Sequence, residues 1–244
     1  MEQRSLLSDR PDQRGAGLTR ADIRARLSRT RQRRDRGDVA TAMQLMAEGK
    51  LQPHDNVTFG ALPSSGIPYD RGAGGINAQV KRVPAAVLVP LIERDGAFDV
   101  LLTLRPTGMK KHAGQVAFPG GRMEPGDRDA IACALREAEE EVGLPGAGVE
   151  ILGTLDPYLT ITGYEVTPVV GAVAGPVTFK PDPVEVADVF EVPLAFLLDP
   201  ANHRRVERDF NGMRRAYYAM PYGERYIWGA TAGMILNFYE LLAP

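Results

Sequence analysis

GGRMEPGDRDAIACALREAEEEVGL, residues Gly120–Leu144, is the stretch whose reading decides the fold. Ile131, Ala134, Leu135, Ala138 and Val142 follow the spacing of an amphipathic helix with one buried stripe. On that helix Glu137 and Glu141 stand one turn apart with Glu140 beside them, clustered at the rim of the stripe. Glu139 points elsewhere. Like charges so spaced weaken a helix by about 0.2–0.5 kcal/mol per pair. Few neutralisers are near: after Arg136 the next Lys or Arg is Lys180. A solvated acidic face is the competing reading, but the scarcity of basic neighbours favours a bound cation. Hard divalent ions take such carboxylate oxygens, together with substrate phosphates. Arg136 precedes Glu140 by four residues and can pair with it. Asp127 or Asp129 can cap the helix start, and Gly143 with Pro145 ends it.

Arg136-Glu137, Glu140-Glu141 and Gly143 resemble the Nudix box, glycine–x5–Glu–x7–Arg-Glu-(apolar)-x-Glu-Glu-x-Gly-(apolar). Counted from Gly121, Asp127 stands in place of the first Glu, and eight residues separate it from Arg136. Upstream, Leu101-Leu102-Thr103-Leu104-Arg105, then Lys110, then Gly114-Gln115-Val116-Ala117-Phe118-Pro119-Gly120-Gly121 form a second signature. It is similar to LLTxR(S/A)xxxRxxxGxVxFPGG, the mark of the coenzyme A pyrophosphatase branch. That branch shares the longer spacing and the Asp. Pro106 and Lys110 depart from it, and Lys keeps the charge of Arg without its bidentate fork. The resemblance spans residues 82–242. It implies an α/β fold, a Nudix-type α/β/α sandwich with a mixed central sheet.

The same resemblance implies a chemistry. Mg²⁺ or Mn²⁺ held by Glu137, Glu140, Glu141 and a carbonyl of the Gly120-Gly121 turn, assigned to Gly121, would screen a pyrophosphate and position a water. In the family a carboxylate activates that water. It is one of these acids or one from a later loop, for which Glu185 in Pro183-Val184-Glu185-Val186 is the candidate. A surface Glu ahead of the next element is the plainer reading of Glu185. Arg105, Lys110, Lys111 and His112 are candidates for phosphate contact, Arg105 foremost because it ends a strand beside the glycine turn. Arg136 completes the expected catalytic set. The expected substrate is coenzyme A or a derivative, cut to 3′,5′-ADP and 4′-phosphopantetheine. Other nucleoside diphosphate derivatives (ADP-ribose, a dinucleotide, an RNA cap) and a ligand-binding module without turnover are the alternatives.

Composition frames this without choosing it. A chain of 244 residues suffices for one large domain with an extension. A formal charge of −2 gives no general pull toward nucleic acid or anionic membrane. No apolar run is long enough to span a bilayer, and the start, MEQRSLLSDRPDQRG, lacks the apolar segment of a secretory signal. Cys133 is the single cysteine, which excludes an intrachain disulfide and suits a reducing, cytoplasmic setting.

The chain is expected to divide near residue 80. Residues 1–80 form an Arg-rich extension and linker, and residues 81–244 the Nudix hydrolase domain. The arginines from Arg20 to Arg36 suit RNA or a phosphate-rich partner less well than a helix packed on the domain or on a dimer mate. A homodimer is thus left open. Met43, Leu45 and Met46 suggest a short helix, and residues 56–77 an irregular arm. Strands are expected at Pro84–Ile92 and Val100–Arg105 around a turn at Asp95-Gly96, then at Gln115–Phe118, Val149–Leu155 and Tyr164–Val173. Helices are expected at Pro193–Leu198 and Ala230–Leu242.

Overall fold

The computed structural model describes residues 17–28, 36–37, 82–108, 112–160, 162–210 and 213–242. The expected helix at Met43–Met46 and the arm at 56–77 lie outside these residues. The central element is a long strand, β2 (Val83–Arg94), followed by β3 (Ala97–Leu104). Asp95 and Gly96, both with positive φ (48° and 77°), make the two-residue turn between them. β2 runs antiparallel to β3 but parallel to β8 (Tyr164–Val173), so the sheet is mixed. β4 (Val116–Ala117) and β9 (Asp188–Pro193) flank β3, β5 (Gly120–Arg122) flanks β2, and β6 (Val149–Thr154) with β7 (Tyr158–Leu159) flanks β8. Two residues of the N-terminal part, Arg36–Gly37 (β1), extend the edge at β7.

Two apolar cores lie on opposite faces of this sheet. One buries Ala86, Leu88, Ile92, Leu101, Val169 and Val173 under the acidic helix α2 (Ala130–Val142). The other holds Leu91, Val100, Leu102, Val170 and Val192 beneath the C-terminal helix α4 (Gly229–Leu242) and α1 (Arg20–Leu27). Alternation along β2 and β3 feeds both, as a sheet covered on two sides requires. The expected layered α/β architecture is thus present.

Between β9 and α4 lie an expected helix and a sheet that the sequence did not suggest. A short helix, α3 (Leu194–Leu197), stands where Pro193–Leu198 was expected. Then comes a separate antiparallel sheet of β10 (Arg204–Phe210), β11 (Met213–Tyr222) and β12 (Arg225–Trp228). Met220 and Ile227 are buried in the second core, and Thr231 at the start of α4 donates to the Val116 carbonyl at 2.9 Å.

α1 joins that core too. Thr19 and Asp22 form a capping box at its start. Ile23 and Leu27 are buried, while Arg20 pairs with Glu93 and Glu150, and Arg24 with Glu150 at 2.5 Å. Arg26 donates to the Leu242 carbonyl. Among the described residues, no helix is long and apolar enough to cross a membrane.

Candidate active site

α2 is built as its sequence demands. Asp129 caps it, accepting from the Ala132 N–H at 2.8 Å, and Gly143 closes it in the left-handed region. Its buried residues are Cys133, Ala134, Ala138, Glu141 and Val142, whereas Ile131 and Leu135 are only partly buried. The buried stripe is therefore turned toward Glu141, which enters the core more deeply than a rim position would allow, while Glu137 stays at the rim and Glu140 is exposed.

The glycine turn makes room for them. A Cβ on Gly121 would stand 2.6 Å from the Glu137 carboxylate, and one on Gly120 would stand 2.4 Å from the Ala86 carbonyl oxygen. Register then sorts the two carbonyls. Leu88 bonds to Pro119 and Met123 to Pro84, so Ala86–Gly121 between them is a bonded pair and Val87–Gly120 is not. The Gly121 carbonyl, expected to be the metal ligand, is taken by the ladder and lies 3.8 Å from the Cys133 thiol. The Gly120 backbone stays outside the ladder, and its N–H donates to Glu141 at 3.2 Å.

Glu141 is the most enclosed of the acids, 4% exposed. Burial pushes its carboxyl up to about 7, against the opposing pull of the Gly120 N–H and of Arg105. Glu137 is also raised, by burial first, with Arg136 acting the other way. The charge of Glu185 acts on both, and its loop is tied to α2 by the Asp182 N–H, which donates to the Glu141 carbonyl at 2.9 Å. Glu185 is a surface residue ahead of β9, on a loop joined to α2. Glu140, 60% exposed at its side chain, lies 3.0 Å from Arg136.

Arg136 organises one side of the cluster. Its Nε and Nη2 donate to the two Asp127 oxygens at 3.0 and 2.9 Å, and its Nη1 lies 3.0 Å from both Glu137 and Glu140. Arg136 holds the Asp127 carboxyl well below the usual range, helped by the Glu124 N–H, which donates to it at 2.8 Å. Asp127 is thus a clamp on Arg136 and not the helix cap. Its position in the box, where an acid recurs ahead of the Arg, was the available signal.

Arg105 lies 3.7 Å from Glu141, with its Nε buried and, among the described residues, without a hydrogen-bond partner. His112 holds Gln115 at 2.9 Å in the adjoining turn and is exposed. Lys110 and Lys111 lie outside the described residues. Burial drives the Cys133 thiol up to about 11, which leaves it an inert packing residue.

Among the described residues, no three of His, Cys, Asp and Glu already converge as a metal cage. The chemistry of the donors nevertheless fits a hard cation: carboxylate oxygens, one deeply buried, beside a glycine backbone kept out of the ladder.

A mixed sheet under an acidic helix, with carboxylates packed against a glycine turn, defines a Nudix-type fold. A family model described as the NUDIX domain matches residues 81–210. Uncharacterized Nudix hydrolase NudL from Escherichia coli K12 is 44% identical over 151 residues, 62% of this chain and 78% of that protein. NudL from Shigella flexneri is 41% identical over 165 residues, 66% of this chain and 85% of that one. The crystal structure of the M. smegmatis Nudix hydrolase RenU superposes with a TM-score of 0.40 at 26% identity, covering 46% of this chain and 71% of that one. The chain belongs to the Nudix hydrolase family, pyrophosphohydrolases that act on phosphoanhydride bonds and generally use divalent metal ions.

Proposed function

We propose that this protein hydrolyses the pyrophosphate of coenzyme A or a derivative, releasing 3′,5′-ADP and 4′-phosphopantetheine, with Mg²⁺ or Mn²⁺ as cofactor. The observation that carries the chemistry is Glu141, buried to 4% exposure one helical turn from Glu137, with the Gly120 N–H and Arg105 at 3.7 Å opposing its charge. The substrate rests on the sequence Leu101–Gly121, which structurally spans the second half of β3, then β4 and the glycine turn.

Glu137, Glu140 and Glu141 would hold the cation, with the Gly120 carbonyl a better donor than the Gly121 one. When bound, it supplies charge neutralisation on the diphosphate and a more acidic water. Arg136 keeps Glu137 and Glu140 oriented, itself fixed by Asp127. Glu185 is exposed and its side chain has no hydrogen bond among the described residues, so it is free to take the proton of the attacking water. Arg105 offers its guanidinium to phosphate oxygens.

The RNA alternative is less well supported, because Arg20 and Arg24 are already engaged by Glu93 and Glu150. The deciding experiment incubates the protein with coenzyme A, ADP-ribose, Ap4A, NADH or capped RNA in Mg²⁺ or Mn²⁺ and identifies products by mass spectrometry. Phosphopantetheine and 3′,5′-ADP are expected from coenzyme A. Cleavage of another compound with coenzyme A untouched would reject the substrate and keep the chemistry.

A further inference from the structure

We infer that Asp182 is a positioning residue, which sets Glu185 against the acidic helix by folding its loop onto that helix. The inference rests on the role given to Glu185 above. The last carbonyls of an α-helix have no partner within it and must find one outside. Here the loop supplies two: the Lys180 N–H donates to the Val142 carbonyl and the Asp182 N–H to the Glu141 carbonyl, both at 2.9 Å. Glu141 is thus tied through its own backbone to the segment that carries Glu185.

Asp182 then turns that segment back. Its Oδ1 accepts from the Val184 N–H at 2.9 Å, an Asx turn. Its carbonyl accepts from the Glu185 and Val186 N–H groups at 3.1 and 2.8 Å. At the far end Val186 is buried under α2, and the Ala187 N–H donates to the Leu104 carbonyl at 2.8 Å, one residue before Arg105. The loop is therefore fixed at both ends to the two elements that carry Glu141 and Arg105. Val184 at its tip is 73% exposed, so apolar burial does not hold the tip, and the Asp182 side chain does. Pro183 helps by limiting the backbone inside the turn.

The test compares Asp182→Ala, Asp182→Asn, Glu185→Gln and the Asp182→Ala/Glu185→Gln double variant. Asp182→Ala should lower kcat about ten- to a hundredfold with KM little changed, the effect of a misplaced reacting group. Asp182→Asn keeps an acceptor oxygen and should restore most of the rate. In the Glu185→Gln background Asp182→Ala should cost nothing further, because both changes remove the same contribution. Hydrogen exchange on the metal-free protein gives a readout apart from turnover: the Val184, Glu185 and Val186 amides should exchange about tenfold faster in Asp182→Ala. Unchanged exchange, or equal loss in both backgrounds, would overturn the positioning role. Full activity in Glu185→Gln would overturn the role of Glu185 itself. Should Asp182→Ala fail to fold, Asp182→Asn at less than a tenth of the wild-type rate would likewise reject the inference.

Discussion

Two arginines meet different members of the acidic cluster and are held very differently. Arg136 has both Asp127 oxygens, Glu137 and Glu140 within 3.0 Å. Among the described residues, Arg105 has one carboxylate at 3.7 Å and a buried Nε with no acceptor. A guanidinium with its fork filled is a strut, because moving it breaks several charge-assisted bonds at once. A guanidinium left short of acceptors in a half-buried place keeps its donors available for an anion, and a buried unmet donor is costly until one arrives. One corner of the site is thus set before substrate comes, and the other is completed by it.

The largest effect tests the acid between them. Glu141→Gln and Glu140→Gln should each lower kcat by about a thousandfold or more while circular dichroism is unchanged. Near-normal turnover in both would remove the metal assignment. Next, Arg105→Ala should raise KM about ten- to a hundredfold, as expected for a lost charge-assisted bond, with the melting temperature unmoved. Arg136→Ala should lower both kcat and the melting temperature by several degrees, and Arg136→Lys should not rescue it, since Lys has no fork. Equal behaviour of the two arginines in calorimetry would erase the contrast.

A further effect is read in stability and not in turnover, as a pH dependence of the metal-free protein. Glu141 has a folded pKa of about 7 against an ordinary 4.5, so the folded state binds its proton more tightly. Stability from this group is full below pH 4.5 and falls as pH rises toward 7, by on the order of 3 kcal/mol. Asp127 has the opposite sign: its folded pKa is depressed, so its contribution is present above 3.8 and is lost on acidification. Chemical denaturation of metal-free protein at pH 5 and pH 8 should show the Glu141 loss, and Glu141→Gln or added Mn²⁺ should abolish it. A flat profile would contradict the buried, charged Glu141.

Much of this was legible in the sequence where local pattern and burial coincide. The acidic helix, the Asp95-Gly96 hairpin and the strands from Val83, Ala97 and Tyr164 carry period and turn signals that tertiary packing merely completes. The three-stranded sheet from Arg204 to Trp228 was not read, because charged residues interrupt any apolar alternation. The Asn211-Gly212 dipeptide, a strong hairpin signal, was the missed clue. β9 was missed because Phe190 and Val192 pack into a core built by distant strands. In the site, the identities of the acids were legible but their depth was not. Only the register of β5 against β2 shows how bare glycine backbone admits Glu137. The Asp182 turn likewise joins residues about forty positions apart in sequence, and no local pattern announces that meeting.

The seat of α1 has a consequence during synthesis. Arg26 bonds to the Leu242 carbonyl, 216 residues later in the chain. At 5–20 residues per second a ribosome takes roughly 10–40 s to travel that distance. For that interval Ile23 and Leu27 lack the C-terminal helix that completes their cover, although the rest of the sheet can already form. The nascent chain therefore carries an early arginine-rich helix that can dock on Glu93 and Glu150 but whose two buried apolar residues gain their full cover only when the C-terminal helix is made.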